Sequence, residues 1–173
     1  MGHQDHIQQS RDTPVRCAIL TVSDTRTEAT DKSGKFIMAA LEERGLPLTG
    51  YRIVPDDASI IRKAVDSFLD AAEVVLIHGG TGISRRDTTF EAIQSMLEKT
   101  LPGFGEIFRT LSFQEIGPAA MLSRATAGVV RGRLVFSMPG STGAVRLALE
   151  ELILPEIQHL VWELVRQPAG GTR

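Results

Sequence analysis

The sequence predicts an α/β three-layer sandwich: a mostly parallel sheet covered by helices on both faces, with an antiparallel hairpin at its edge. Three observations carry that prediction. Short apolar runs alternate with segments of helical periodicity, the order that builds a parallel sheet. The run Val74-Val75-Leu76-Ile77 is apolar throughout, as a strand buried on both faces must be. Two further apolar runs between Ala125 and Ser137 flank Arg131-Gly132-Arg133, which reads as a hairpin. The 173 residues suit one domain. Its expected bounds are residues 15–166, with a flexible polar tail at 1–14 and a frayed, glycine-rich end at 167–173.

The first strand is expected from Val15 to Val22, followed by the polar loop Ser23-Asp24-Thr25-Arg26. Ser33-Gly34 opens a helix whose apolar face carries Phe36, Ile37, Ala40 and Leu41, and Gly45 ends it. A second strand runs from Leu48 to Val54 and is broken by Pro55-Asp56-Asp57. Ile60, Ile61, Ala64, Val65, Phe68 and Leu69 recur at helical spacing. The third strand runs directly into Gly79-Gly80-Thr81-Gly82, and Thr88 or Thr89 caps a helix bearing Ala92, Ile93, Met96 and Leu97. Pro102-Gly103 starts another helix, with Phe104, Ile107, Phe108 and Leu111. After the hairpin, Pro139-Gly140-Ser141 makes a turn, and Ala144 to Arg166 is a long helical pattern expected to be interrupted at Pro155.

Composition narrows the function. Nineteen basic and 21 acidic residues give a net charge of −2, so no basic excess points to nucleic acid. Aromatic residues, at 5%, are too few for a platform that stacks single-stranded bases. No apolar stretch is long enough to span a bilayer and the first dozen residues are polar, so the expected location is the cytoplasm. Cys17, the single cysteine, lies in an apolar run and reads as a packing residue. The two histidines of the polar tail, His3 and His6, carry no metal site in this reading, and His159 and Trp162 read as surface or interface residues.

In open α/β sheets ligands bind beyond the carboxyl ends of the strands. Four polar or glycine-rich turns follow the strands: Ser23-Asp24, Asp56-Asp57, Gly79 to Gly82, and Pro139-Gly140-Ser141. They are expected on one rim. The glycine run lets the backbone approach a ligand and turn successive amides toward an anion. Its spacing matches neither the Walker loop nor the dinucleotide fingerprint, and a tight strand-to-helix turn also calls for glycine. Asp87, just behind the loop beside Arg85 and Arg86, can hold a divalent cation; as a plain structural residue it would cap a helix or pair with an arginine. Asp56 faces the same choice between cation ligand and turn residue. Two carboxylates on one rim suit metal-assisted phosphoryl or nucleotidyl transfer. His78 could serve as a base, but its place at a strand end favours packing under a helix.

Taken together, Thr21-Val22-Ser23-Asp24, Asp31-Lys32-Ser33-Gly34, Gly79-Gly80-Thr81-Gly82 with Arg86-Asp87, Pro102-Gly103-Phe104-Gly105-Glu106, Ser123-Arg124-Ala125 with Ala127-Gly128, and Met138-Pro139-Gly140-Ser141 occur in that order. This set closely resembles the molybdenum cofactor biosynthesis protein B family and its sister, the molybdopterin adenylyltransferases, over roughly Val15 to Val165. The strings Gly103 to Arg109 and Met138 to Thr142 look more like the B branch. The resemblance implies a molybdopterin-binding fold, a homotrimer or homohexamer, and work alongside other proteins of the same pathway. It implies adenylylation of molybdopterin by magnesium-ATP, with release of pyrophosphate. Asp56 and Asp87 match the family's catalytic, magnesium-holding aspartates, and Gly79, Gly80, Thr81 and Gly82 its nucleotide-phosphate loop. Ser23, Asp24, Ser33, Gly34, Glu106, Ser123 and Arg124 match other pocket positions, and Pro139, Gly140 and Ser141 a loop on the pterin side.

One departure is Ile83, where the sister branch often carries proline. Some B-branch members lack the acid after the second strand; this chain keeps Asp56, which favours an active enzyme. Two other readings stand beside it: a molybdopterin-binding protein without chemistry, and a nucleotide-cleaving relative like the competence-damage proteins.

Overall fold

The computed structural model describes residues 13–165. Most of the expected tail at 1–14, with His3 and His6, and the whole of the expected frayed end at 167–173 lie outside the described residues. Six strands form one sheet: β1 (Cys17–Val22), β2 (Leu48–Val54), β3 (Val74–His78), β4 (Lys99–Thr100), β5 (Thr126–Val130) and β6 (Arg133–Met138). Their spatial order is β2-β1-β3-β6-β5-β4. The first four in that order run parallel, whereas β5 is antiparallel to both β6 and β4. The hairpin is therefore built into the sheet, with β6 among the parallel strands and the two-residue β4 at the edge. The β5–β6 connection is a two-residue turn in which both Arg131 (φ 50°) and Gly132 (φ 70°) are left-handed, the geometry that matches strand twist.

Strand alternation divides the core. Cys17, Ile19, Leu76, Leu134, Phe136 and Met138 face one side, against α1 (Lys32–Glu43), α4 (Pro102–Ile116), α5 (Thr142–Leu147) and α6 (Leu154–Val165). Ala18, Leu20, Val75, Ile77 and Val135 face the other, against α2 (Ala58–Leu69) and α3 (Thr89–Gln94). Phe104 of α4 meets Phe136 edge-on at 5.2 Å between ring centres, an arrangement worth about 1 kcal/mol beyond its buried area. Cys17 sits in this core with its thiol pushed by burial up to about 12, so it is inert at neutral pH.

Local details depart from the pattern. The helix after β1 starts one residue before Ser33 and is capped by Asp31, whose carboxylate accepts from the amide of Gly34. In α3, which ends at Gln94 before Met96 and Leu97, Thr88 takes the cap position without capping. α4 is followed by a 3₁₀ turn, Gly117–Leu122. The last helical stretch does not break at Pro155; a π turn over Ala148–Ile153 lies just ahead of it. Proline removes an amide from the ladder and crowds the preceding turn, and a widened turn relieves both.

Candidate functional site

Because β1, β2, β3 and β6 run parallel, the segments after them emerge on one rim. β1 connects to a helix on one face and β3 to a helix on the other, so the crevice between them is the switch point where ligands bind such sheets. A cleft of about 580 Å³ occupies it. One wall consists of Ser23, Thr25 and Arg26 after β1, Gly79 to Gly82 and Asp87 after β3, and Pro139 to Ser141 after β6. The opposite wall is mainly apolar: Phe108, Ile116, Ala119 and Leu122 from α4 and the 3₁₀ turn, with Ser112 and Ser123. A ligand with an anionic part and a flat, partly apolar part suits such a cleft.

The loop conformation depends on glycine. Gly79 has φ 96° and Gly80 φ 65°. A Cβ at Gly79 would overlap the carbonyl oxygen of Val22, and one at Gly80 would overlap Thr89 Oγ1 and Asp56 Oδ2. Arg124 braces the loop from behind: its guanidinium donates to the carbonyls of Thr81 (2.9 Å) and Gly82, pairs with Glu91 and lies over the Phe90 ring at 5.0 Å. Its charge is thus directed at the loop's carbonyls. Glu91 is held below the usual carboxylate range by the Arg124 hydrogen bond.

Asp56 Oδ1 accepts from both the amide and the hydroxyl of Thr88, at 2.9 and 2.7 Å, while Oδ2 makes no hydrogen bond among the described residues. Its own amide donates to Asp24 Oδ1 at 3.1 Å. Burial raises the Asp56 carboxyl; the Thr88 hydrogen bonds oppose the shift and the charges of Asp87 and Asp24 reinforce it. Asp87 Oδ2 accepts from the amide of Ser84 at 2.9 Å, and a Cβ at Gly82 would lie 2.7 Å from the same oxygen. Asp56 therefore lies against Gly80 and Asp87 against Gly82, at two points of the glycine loop. No group of three or more His, Cys, Asp or Glu side chains converges on a metal position among the described residues. A carboxylate pair completed by phosphate oxygens and water is nonetheless the way magnesium is commonly held.

Beneath the rim lies a buried polar chain. Asp31 Oδ2 accepts from Thr21 Oγ1 (2.6 Å) and from the Tyr51 hydroxyl (2.8 Å), and Oδ1 from the amide of Gly34 (2.9 Å). Burial alone would raise the Asp31 carboxyl, but hydrogen bonds from Thr21, Gly34 and Tyr51, with His78, hold it below the usual range. Thr21 spends its one proton on that carboxylate, so at 2.8 Å it must accept from His78 Nε2–H. His78 is then the neutral Nε2–H tautomer, with Nδ1 buried and unpartnered among the described residues. Burial lowers it to about 4, with Arg26 also lowering and Asp31 opposing.

The expected pocket residues fall into three groups. Ser23, the four glycine-loop residues, Asp87, Ser123, Pro139, Gly140 and Ser141 line the cleft, and Asp56 reaches the loop from β2. Ser33, Gly34 and Arg124 lie behind it. Ser33 Oγ donates to the Gly140 carbonyl at 2.9 Å, and Gly34 leaves room for the Asp31 carboxylate. Asp24 and Glu106 border other clefts, one against β2 and a small one beside the start of α4. Sequence reasoning named Asp31 only within a motif and Thr88 only as a possible helix cap, although an acid three residues before Gly34 is an N-cap signal. It also left Arg26, the one cation among the cleft's lining residues, without a role.

The chain matches the family described as probable molybdopterin binding domain over residues 18–159. It is 51% identical over 167 residues to the molybdenum cofactor biosynthesis protein B of Bacillus subtilis, covering 95% of this chain and 98% of that protein. The corresponding protein of Halalkalibacterium halodurans is 52% identical over 169 residues, with 96% and 99% covered. Among solved structures, a molybdenum cofactor biosynthesis protein B superposes with a TM-score of 0.86 at 53% identity, covering 88% of this chain and 97% of that one. The tungsten cofactor synthesizing protein MoaB of Pyrococcus furiosus gives 0.79 at 40% identity, covering 88% and 98%. No helix among the described residues is long and apolar enough to cross a membrane.

Proposed function

The chain belongs to the molybdenum cofactor biosynthesis protein B family, within the molybdopterin-binding domains, and from that premise we propose that it adenylylates molybdopterin with magnesium-ATP and releases pyrophosphate. Its place in molybdenum cofactor biosynthesis follows from the family; the chemistry is our reading. One observation carries it: two carboxylates, Asp56 and Asp87, flank a glycine loop of left-handed backbone that opens on an amphipathic cleft.

In this reading the amides of Gly80 to Gly82 hold the triphosphate, the Gly79 amide being spent on the Met138 carbonyl at 3.1 Å, and Arg124 keeps the loop's carbonyls turned away from it. Asp56 and Asp87 would hold magnesium, which neutralises phosphate charge when bound. The molybdopterin phosphate attacks the α-phosphate in line. An oxygen–phosphorus bond forms, the bond to the β-phosphate's bridging oxygen breaks, and pyrophosphate departs. The attacking phosphate is already ionised at neutral pH, so no strong base is needed; His78, buried and neutral, is not asked to serve as one. Positioning and charge neutralisation supply most of the rate. The pterin lies in the part of the cleft bordered by the Pro139 to Ser141 turn and by the apolar side chains of Phe108, Ile116 and Leu122.

The assay is pyrophosphate release from molybdopterin and magnesium-ATP. Asp87→Asn is expected to lower it by roughly 100-fold or more while molybdopterin binding survives. Wild-type protein that binds molybdopterin but releases no pyrophosphate would be a binding protein of the same pathway. We also propose that the chain self-associates, as a trimer or a hexamer of trimers. Phe113 and Met121, which do not line the cleft, leave apolar surface on α4 and the 3₁₀ turn, each more than half exposed.

A further inference from the structure

Anion binding by this cleft needs more than amides, since the chain carries no basic excess. Among the residues that line the cleft, the charged ones are Arg26 and Asp87. They stand by opposite ends of the glycine loop. Asp87 lies against Gly82, whereas the Arg26 guanidinium donates to the carbonyl of Gly140 at 2.9 Å, in the Pro139 to Ser141 turn that packs on Gly79. Arg124 supplies no second cation to the cleft, being spent on the loop carbonyls and Glu91.

Arg26 is held firmly but not used up. Its amide donates to Ser23 Oγ at 3.1 Å, which fixes the loop after β1. The nearest counter-charge is Asp31, 3.8 Å from one terminal nitrogen, beyond hydrogen-bond distance. That carboxylate is already satisfied by Thr21, Tyr51 and Gly34. Among the described residues only one terminal nitrogen of Arg26 makes a side-chain hydrogen bond. A guanidinium has five donors in a planar fork that matches phosphate oxygens. The side chain is about a third exposed, so those donors are reachable. Ser23 and Arg26 also border the neighbouring cleft against β2, where Asp24 and Glu28 offset the charges of Arg26 and Arg52.

We propose that Arg26 is the phosphate-recognising residue of the pterin half of the cleft, reading the phosphate monoester of the acceptor and not the triphosphate of the nucleotide. This rests on the reading that molybdopterin occupies the Pro139 to Ser141 side. It makes Arg26 a specificity residue for phosphorylated acceptors.

The test uses the full-length protein and titration calorimetry with three probes: molybdopterin, magnesium-ATP and inorganic phosphate. Arg26→Gln retains an amide donor for the Gly140 carbonyl and loses the charge. It is expected to weaken molybdopterin at least tenfold, to abolish competition by inorganic phosphate, and to leave magnesium-ATP affinity within twofold. The wild-type advantage should shrink as salt rises. Arg26→Lys keeps the charge without the fork and should recover part of the loss. Equal weakening of both substrates, unchanged molybdopterin affinity in Arg26→Gln, or a lysine variant no better than glutamine would overturn the assignment. Because these readings are of binding, they separate from the adenylylation reading. A wild-type protein that releases no pyrophosphate, with Arg26→Gln still selectively weak for molybdopterin, supports Arg26 and sinks only the chemistry.

Discussion

Thr88 grips one oxygen of Asp56 with both its amide and its hydroxyl, at 2.9 and 2.7 Å, and leaves the other oxygen against Gly80. Thr88 stands where a helix N-cap would, yet its hydroxyl is turned away from α3 toward the loop after β2. The helix forgoes a cap and the rim gains an oriented carboxylate. A cap contributes about 1 kcal/mol, so this is the kind of local rule that a functional site breaks.

The oriented carboxylate carries a stability penalty. Asp56 is raised in the folded state by burial, with Asp87 and Asp24 adding to it. The native state therefore holds the Asp56 proton more tightly than the unfolded chain does. Stability from this group falls as pH rises from the ordinary carboxylate range through the folded value, and stays lowered above it. Asparagine can accept both Thr88 donors without the charge. Asp56→Asn should unfold at neutral pH no lower than wild type, with the difference vanishing at low pH, while pyrophosphate release falls by roughly 100-fold or more. Thermal melts across pH, run beside the pyrophosphate assay, check both halves. A variant that melts clearly lower at pH 7 contradicts the first.

Gly80→Ala must place a Cβ at φ 65° against Asp56 Oδ2 and Thr89 Oγ1. The left-handed backbone alone costs about 1–2 kcal/mol, and the overlap displaces the carboxylate. Lower denaturant midpoints and lost pyrophosphate release are expected together. Gly103→Ala is the contrast: Gly103 is the second residue of α4 and nothing lies within 4 Å of the added methyl. A gain of about 0.5 kcal/mol is expected there. Equal effects at the two positions would show that backbone geometry is not what selects glycine.

His78 gives a second pH dependence, of opposite sign. It is lowered from 6.5 to about 4, so the folded state refuses a proton that the unfolded chain accepts. Stability is fully present above the unfolded value and is lost as pH falls from about 6.5 toward about 4. His78→Gln keeps a donor for Thr21 and removes the titration. Urea midpoints measured between pH 7 and 4 should show a flatter slope for the variant, by up to one proton.

Met121 is the most exposed member of the apolar patch, at 79%. Met121→Glu puts a charge where self-association would desolvate it. Sedimentation velocity should show the wild type larger than a monomer and the variant shifted toward monomer. A monomeric wild type would remove the oligomer from the reading.

Much of this architecture could be read along the chain because its causes are local. The side-chain period of two separates Ala18, Leu20 and Val22 from Cys17 and Ile19, and uninterrupted apolarity marks β3 as buried on both faces. Gly79 and Gly80 announce a backbone that a Cβ forbids, and parallel strands bring the segments after β1, β2, β3 and β6 to one rim. What a polar side chain does on that rim is another matter. Arg124 and Arg26 are both arginines in matching or neighbouring motifs, yet Arg124 is turned to loop carbonyls 42 and 43 residues away and paired with Glu91, whereas Arg26 gives one side-chain hydrogen bond, to Gly140, and borders the cleft. Gly34 serves Asp31, and Thr88 serves Asp56. The apolar wall comes from α4 and the turn after it. The layers, the strand directions and the glycine turn were legible along the chain, since sterics and periodicity act between neighbours. Which donors are spent, which carboxylate is raised and which cation borders the cleft came from tertiary contacts. Those depend on desolvation and on hydrogen-bond partners brought together from distant parts of the chain.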